Sequence, residues 1–148
     1  MRILVVNGPN LNMLGTREPQ IYGRETLGDL EHLMRSYCAG RPVTFTFFQS
    51  NHEGAIIDAI QAAYESQDAI IINPAAYTHT SIAILDALKA VALPTVEVHL
   101  SDISGREPFR RQSYISAACL QTIQGKHFQG YLDAVDLVIN AVTSPAAL

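Results

Sequence analysis

The sequence predicts an α/β protein: a doubly wound sheet of parallel strands with helices on both faces. Three observations predict it. Short β-branched or aromatic runs alternate with helical repeats along the whole of the 148 residues. Two of the runs, at residues 2–7 (RILVVN) and 69–73 (AIIIN), are almost continuously apolar. That is the mark of parallel strands buried on both faces. The polar residues able to do chemistry gather after the strands, where sheets of this class bind ligands.

The elements run in order along the chain. After the first strand comes GTREPQIYG, residues 15–23, which reads as neither helix nor strand yet carries Arg17 and Tyr22. Leu27, Leu30, Leu33, Met34 and Tyr37 then repeat at helical spacing, with Gly40 as a stop. The second strand is VTFTFFQ at 43–49, followed by a helix carrying Ile56, Ile57, Ile60, Ala63 and Tyr64. After the third strand, Ile82, Leu85, Leu88 and Val91 mark a helix, and TVEVHL at 95–100 a fourth strand. A weaker strand over 118–124 precedes a last helix with Leu132, Val135, Val138 and Ile139. Five strands joined by right-handed crossovers favour the flavodoxin-like order 2-1-3-4-5. The length suits one domain over 1–148 with one core, and no linker, repeat or low-complexity segment divides it.

Composition narrows the function. Hydrophobic residues make up 48 % and charged ones 16 %, as in a well-buried globular protein. The formal charge of −4 and the lack of a basic run argue against nucleic acid as a partner. Neither a signal peptide nor a membrane-spanning stretch is read, so a cytoplasmic location is expected. Cys38 and Cys119 lie far apart and read as free, buried thiols. No Gly-rich nucleotide turn follows a strand. A phospho-receiver would need a carboxylate where Asn73 stands. The lysines, Lys89 and Lys126, are badly placed for a Schiff base. The five histidines show no paired ligand spacing, so no metal is expected. Acid–base chemistry without metal or cofactor is what remains.

The candidates for it lie at the carboxyl edge. His99 stands two residues after Glu97, so both side chains point to one face of the strand and the carboxylate can fix the imidazole tautomer. A carboxylate in so apolar a strand is costly without a partner. Asn73-Pro74 ends the third strand and could equally start a turn. One of Thr78, His79, Thr80 and Ser81 should cap the helix that comes next. Asp86 faces outward from that helix. Ser101 could cap the segment beyond the fourth strand, or its N–H and that of Leu100 could bind an anion. Arg106, Arg110 and Arg111, three of only ten basic residues, suggest an anionic substrate. Asn51, His52 and Glu53 form another edge group, in which helix capping accounts for Asn51 as well as function does.

Four segments, NGPNLNMLGTREPQIYG, FFQSNHEGAIID, INPAAYTHTSIAILDAL and VEVHLSDISGREPFRRQSY, closely resemble the type II 3-dehydroquinate dehydratases, and the likeness covers essentially the whole chain. The resemblance implies a flavodoxin-like fold and a homododecamer built as a tetramer of trimers. It also implies dehydration of 3-dehydroquinate to 3-dehydroshikimate, in the shikimate or quinate pathway, with no cofactor or metal. Tyr22 would be the general base and Arg17 essential to it. His99 would be the general acid, oriented by Glu97. Asn10 and Asn73 would line the centre of the site. The N–H groups of Leu100 and Ser101, with the Ser101 hydroxyl, would hold the substrate carboxylate. Arg110 and His79 would bind ring hydroxyls, and Asp86 would reach in from a neighbouring subunit. One departure is that the family often reads S-N-I-H-x-R where this chain has S-D-I-S-G-R, with Asp102 and Ser104. The positioning of Arg106 is the point it touches.

Overall fold

The computed structural model describes residues 1–16 and 18–144, apart from the side chains of Ile21 and Tyr22. Among these residues, five parallel strands form one sheet: β1 (Arg2–Asn7), β2 (Thr44–Gln49), β3 (Ala69–Asn73), β4 (Thr95–His99) and β5 (Gln121–Gln124). Their order is β2-β1-β3-β4-β5, as the crossover rule predicts. The helices are α1 (Pro19–Tyr22), α2 (Leu27–Tyr37), α3 (Glu53–Ala62), α4 (Ile82–Val91) and α5 (Gln129–Thr143). No helix of the described residues is long and apolar enough to cross a membrane.

Strand side chains alternate between faces, and this splits the core in two. Ile3, Val5, Ile71, Val96 and Val98 point to one side and meet Leu30 and Met34 of α2 and Tyr131, Val135 and Val138 of α5. Leu4, Val6, Ile70 and Ile72 point to the other and meet Ile56 and Ile60 of α3 and Ile84 and Leu88 of α4. β3 lies at the centre and is buried along its whole length, which is why it reads as AIIIN. β2 is an edge strand, only half buried, and Arg35 lies over the Phe47 ring at 4.9 Å.

The structure corrects four readings. Residues 19–22 of the segment expected to be irregular form a single helical turn, α1, with proline at its first position and the Gly23 N–H donating to the Pro19 carbonyl. Proline presets the helical φ and loses no bond there, which explains the turn. The last strand is shorter than expected, because Ile115–Ala118 coils into a 3-10 turn first. Leu33, Tyr37, Tyr64 and Ile82 fit their helical repeats but are exposed. Tyr64 lies beyond the end of α3, and Tyr37 and Ile82 are end residues of α2 and α4. Cys119 is half-buried rather than buried, whereas Cys38 is buried as expected.

The carboxyl ends of β1 and β3 touch through their backbones. The Gly8 N–H donates to the Asn73 carbonyl at 2.8 Å, and a Cβ on Gly8 would lie 2.4 Å from the Pro74 oxygen. Gly8→Ala is therefore expected to force the Asn73–Pro74 corner outward and to cost about 1–3 kcal/mol, read as a lowered unfolding midpoint in denaturant.

Candidate active site

A cleft of about 290 Å³ opens over this corner. It is lined by the loop after β1 (Pro9, Asn10, Leu11, Met13, Leu14) and the end of β3 with its following turn (Asn73, Ala75, Ala76, His79). The end of β4 and the loop beyond it complete the wall with His99, Leu100, Ser101, Arg106 and Arg110. These segments converge where the strand order reverses, the expected ligand position in such a sheet. Among the described residues the lining holds two guanidinium groups and no carboxylate, so it suits an anion.

His99 ends β4 and is 6 % exposed, just enough to show an edge to the cleft. Its Nε2 meets Glu97 Oε1 at 2.6 Å, leaving Nδ1 as the atom able to serve a ligand. Glu97 is wholly buried, yet it is not short of partners. Ser113 Oγ donates to Oε1 at 2.7 Å and Thr122 Oγ1 to Oε2 at 3.0 Å. Burial pushes the Glu97 carboxyl up, but the His99, Ser113 and Thr122 contacts outweigh it and hold the group below the usual carboxylate range. A folded-state value below the unfolded one means that stability is gained above the ordinary carboxylate pKa. It is lost as pH falls through the folded value. Melting temperatures are therefore expected to hold from pH 7 to about 5 and to fall below about pH 4, and less steeply in Glu97→Gln.

The central asparagines are fixed from below. Asn73 is buried, and its Oδ1 accepts the Ala75 N–H at 3.1 Å. The turn-forming and cleft-lining readings of Asn73 are both satisfied at once. Asn7 lies opposite it in register, and its Oδ1 accepts the Tyr131 hydroxyl at 2.6 Å. Tyr131 is fully enclosed, which drives its phenol far above the ordinary value, so it stays a proton donor in the network. Asn10 sits in the left-handed region at φ 68, and its N–H donates to Asn51 Oδ1 at 2.9 Å. Gln49 reaches the same Asn51 oxygen at 3.3 Å and the Gly8 carbonyl at 3.2 Å. The capping account of Asn51 is therefore wrong. His52 occupies the N-cap of α3, and the Asn51 side chain is already committed to the β1 loop.

His79 Nδ1 meets the Gln112 carbonyl at 2.7 Å. A carbonyl only accepts, so Nδ1 carries the proton and Nε2 is left as an acceptor. Ser81 caps α4, accepting the Ile84 N–H at 2.9 Å. Arg106 reaches the Ser101 hydroxyl, and Arg111 ties itself to the Arg106 carbonyl. Asp102 Oδ1 accepts the Ser104 N–H at 2.8 Å and its hydroxyl at 2.6 Å, so the S-D-I-S-G-R segment makes a compact turn that still delivers Arg106 to the cleft. Arg110 stacks by Phe109 at 5.3 Å and pairs with Glu107 at 3.5 Å.

The cleft thus gathers Asn10, Asn73, His79, His99, Leu100, Ser101 and Arg110, with Glu97 behind His99. Asp86 does not line it; its side chain is exposed on α4. Arg17 and the Tyr22 side chain lie outside the described residues. Sequence reasoning missed Asn7, Ser113, Thr122 and Tyr131, and weighed Asn51 only as a cap or an edge residue. Only Asn7 carried a signal, as a polar residue ending an otherwise apolar strand.

Comparison with known proteins bears on the same residues. The model of the family Dehydroquinase class II matches residues 1–139. A protein of Ralstonia nicotianae named 3-dehydroquinate dehydratase 1 is 52 % identical over 139 residues, 93 % of this chain and 89 % of its own. One of Emericella nidulans named catabolic 3-dehydroquinase is 54 % identical over 136 residues, 92 % of this chain and 89 % of its own. The crystal structure of a type II dehydroquinase from Butyrivibrio crossotus superposes with a TM-score of 0.90 at 48 % identity, covering 94 % of this chain and 97 % of that one. The parallel sheet, the cleft at its switch point and a match running through every loop that lines it lead to one conclusion: the chain belongs to the class II dehydroquinases.

Proposed function

We propose that the protein dehydrates 3-dehydroquinate to 3-dehydroshikimate, as a step of the shikimate or quinate pathway. The observation that carries the reading is the buried Glu97–His99 pair at 2.6 Å, set at the edge of an arginine-bearing cleft within a chain of this family. In the proposed reaction a base takes the proton next to the ketone, giving an enolate. The enolate then expels the β-hydroxyl, which takes a proton from His99 and leaves as water. Tyr22 is the proposed base and Arg17 its activator. A free tyrosine has a pKa of about 10, so only about 0.1 % is ionised at pH 7. Bringing it to about 7–8 takes roughly 3–4 kcal/mol. An exposed ion pair supplies at most about 1 kcal/mol, so Arg17 must act in a closed, water-poor site. A segment with Gly15 and Gly23 at its ends suits a lid that opens for exchange and shuts for chemistry.

The other assignments are compatible with where the side chains stand. His79, with Nε2 free to accept, is matched to a substrate hydroxyl, and Arg110 to another. The Leu100 and Ser101 N–H groups, with the Ser101 hydroxyl and Arg106 beside it, are matched to the carboxylate. Asn10 and Asn73 flank the enolate oxygen. Asp86 is proposed to act on a neighbouring subunit's site. Its support is that it shares an exposed helix face with Ile82, an apolar residue 48 % exposed that an interface would cover. A homododecamer of four trimers is the proposed assembly, formed from one catalytic domain per chain. A cytoplasmic location goes with the same reading, the two cysteines being unpaired.

The test is direct. Purified protein added to 3-dehydroquinate should raise enone absorbance without added metal or cofactor. A folded protein that binds the substrate yet gives no rise would be a carboxylate-binding module instead. Borohydride added with substrate should neither inactivate the protein nor add mass; a trapped adduct would point to a lysine mechanism.

A further inference from the structure

We infer that Ser113 and Thr122 are positioning residues for the reaction, acting through Glu97 on His99; the inference rests on His99 being the acid proposed above. Glu97 is wholly buried on the central part of the sheet, and each of its oxygens receives a hydroxyl. The two donors come from different places. Thr122 stands opposite Glu97 in the β4–β5 register, so sheet pairing itself delivers its hydroxyl to Oε2. Ser113 comes from the loop that also carries Arg106 and Arg110, and it donates to the very oxygen that His99 uses.

The direction of each hydrogen is fixed. A carboxylate only accepts, so both hydroxyls must donate to it. The Ser113 oxygen in turn accepts the Ser116 N–H at 3.1 Å, which leaves its own hydrogen free for Glu97. The chain runs from the Ser116 backbone through Ser113 to Glu97 and so to His99, every hydrogen pointing toward the carboxylate. Such a network favours the ionised carboxylate over the acid and holds it in one orientation. An orienting carboxylate that took up a proton could no longer accept from His99 Nε2 on equal terms, and the imidazole would be free to turn from the cleft.

Among the described residues the titratable neighbours of Glu97 are few. On its own strand it faces His99, and from the segment before β5 it faces Cys119. Burial and the Glu97 charge push the Cys119 thiol up to about 12, so it stays neutral. β3 presents Ile72 and β5 presents Thr122, neither of which titrates. Against the burial that pushes it up, the carboxylate is therefore held charged by His99 and the two hydroxyls.

The experiment reads, for wild type, Thr122→Val, Ser113→Ala and Thr122→Ser, the steady-state kinetics of 3-dehydroquinate dehydration near neutrality and the pH below which the melting temperature falls, with His99→Ala as reference. Valine keeps the shape of Thr122 and removes only the donor. Each donor lost should move the acid fall of the melting temperature up by about one pH unit and lower kcat near neutrality about tenfold, with KM changed less than twofold. Thr122→Ser should restore both. Unchanged kcat in Thr122→Val and Ser113→Ala, while His99→Ala is impaired, overturns the inference and leaves the acid assignment standing. A fall in kcat with no shift in the acid fall of the melting temperature, or no recovery in Thr122→Ser, also overturns it, since a merely structural role would do that. If His99→Ala keeps full activity, the acid assignment itself is wrong.

Discussion

Tyr22→Phe is expected to lower kcat by a factor of at least about 10³ while leaving substrate or product affinity within a fewfold of wild type. As the proposed base, the phenol oxygen would serve the transition state, where it holds the proton in flight, far more than the ground state. General bases contribute roughly 10²–10⁴ in rate, and phenylalanine leaves no substitute atom in place. Arg17→Ala should be nearly as severe, because an unassisted tyrosine is almost wholly protonated near pH 7. Arg17→Lys keeps the charge but loses the planar fork, and little recovery is expected. Steady-state kinetics with a separate binding titration distinguish these outcomes. Full activity in Tyr22→Phe would remove the base from the account. The buried phenol of Tyr131 does not replace it. Tyr131 donates to Asn7 at 2.6 Å and is held protonated by its burial.

His99→Ala is expected to cost about 10²–10⁴ in kcat, and Glu97→Gln to approach it. The reason for the second is geometric as well as electrostatic. Glu97 accepts three hydrogens, from His99, Ser113 and Thr122. A glutamine amide presents its own N–H₂ to at least one of those donors, so the network must break somewhere. The imidazole then loses the partner that selects its tautomer. In Glu97→Gln the loss should appear in kcat rather than KM, since the carboxylate does not line the cleft. A Glu97→Gln variant with normal kcat and a changed KM would mean that the pair binds substrate and does not protonate it.

Much of the fold is legible in the sequence because its physics is local. β1 and β3 are buried on both faces and therefore read as apolar runs, and Ser81 stands where a cap must stand. The strand order comes from crossover handedness rather than from any residue. The Glu97–His99 pair is legible because the period of two in a strand puts both side chains on one face. The features that escape a sequence reading depend on register between distant segments. Thr122 serves Glu97 only because β4 and β5 pair at that offset, and nothing in LQTIQG announces it. Tyr131 lies 124 residues from Asn7 along the chain, yet the two are bonded. Asn51 reads as a cap because it precedes a helix, whereas its side chain has a better partner in the Asn10 N–H across the sheet edge. Ile82 fits the helical repeat, yet it is 48 % exposed while Ile84 and Leu85 of the same turn are buried.

The roles of the loop and of β4 are separated by one measurement. Substrate recovered from incubation in deuterated water reports, by its mass, whether the proton next to the ketone has been removed and replaced. With Tyr22 as base and His99 as acid, His99→Ala should still exchange that proton while dehydration is largely lost, because the enolate forms and returns. Tyr22→Phe should lose exchange and dehydration together. Exchange at the wild-type rate in Tyr22→Phe would contradict the account, since another group would then be removing the proton.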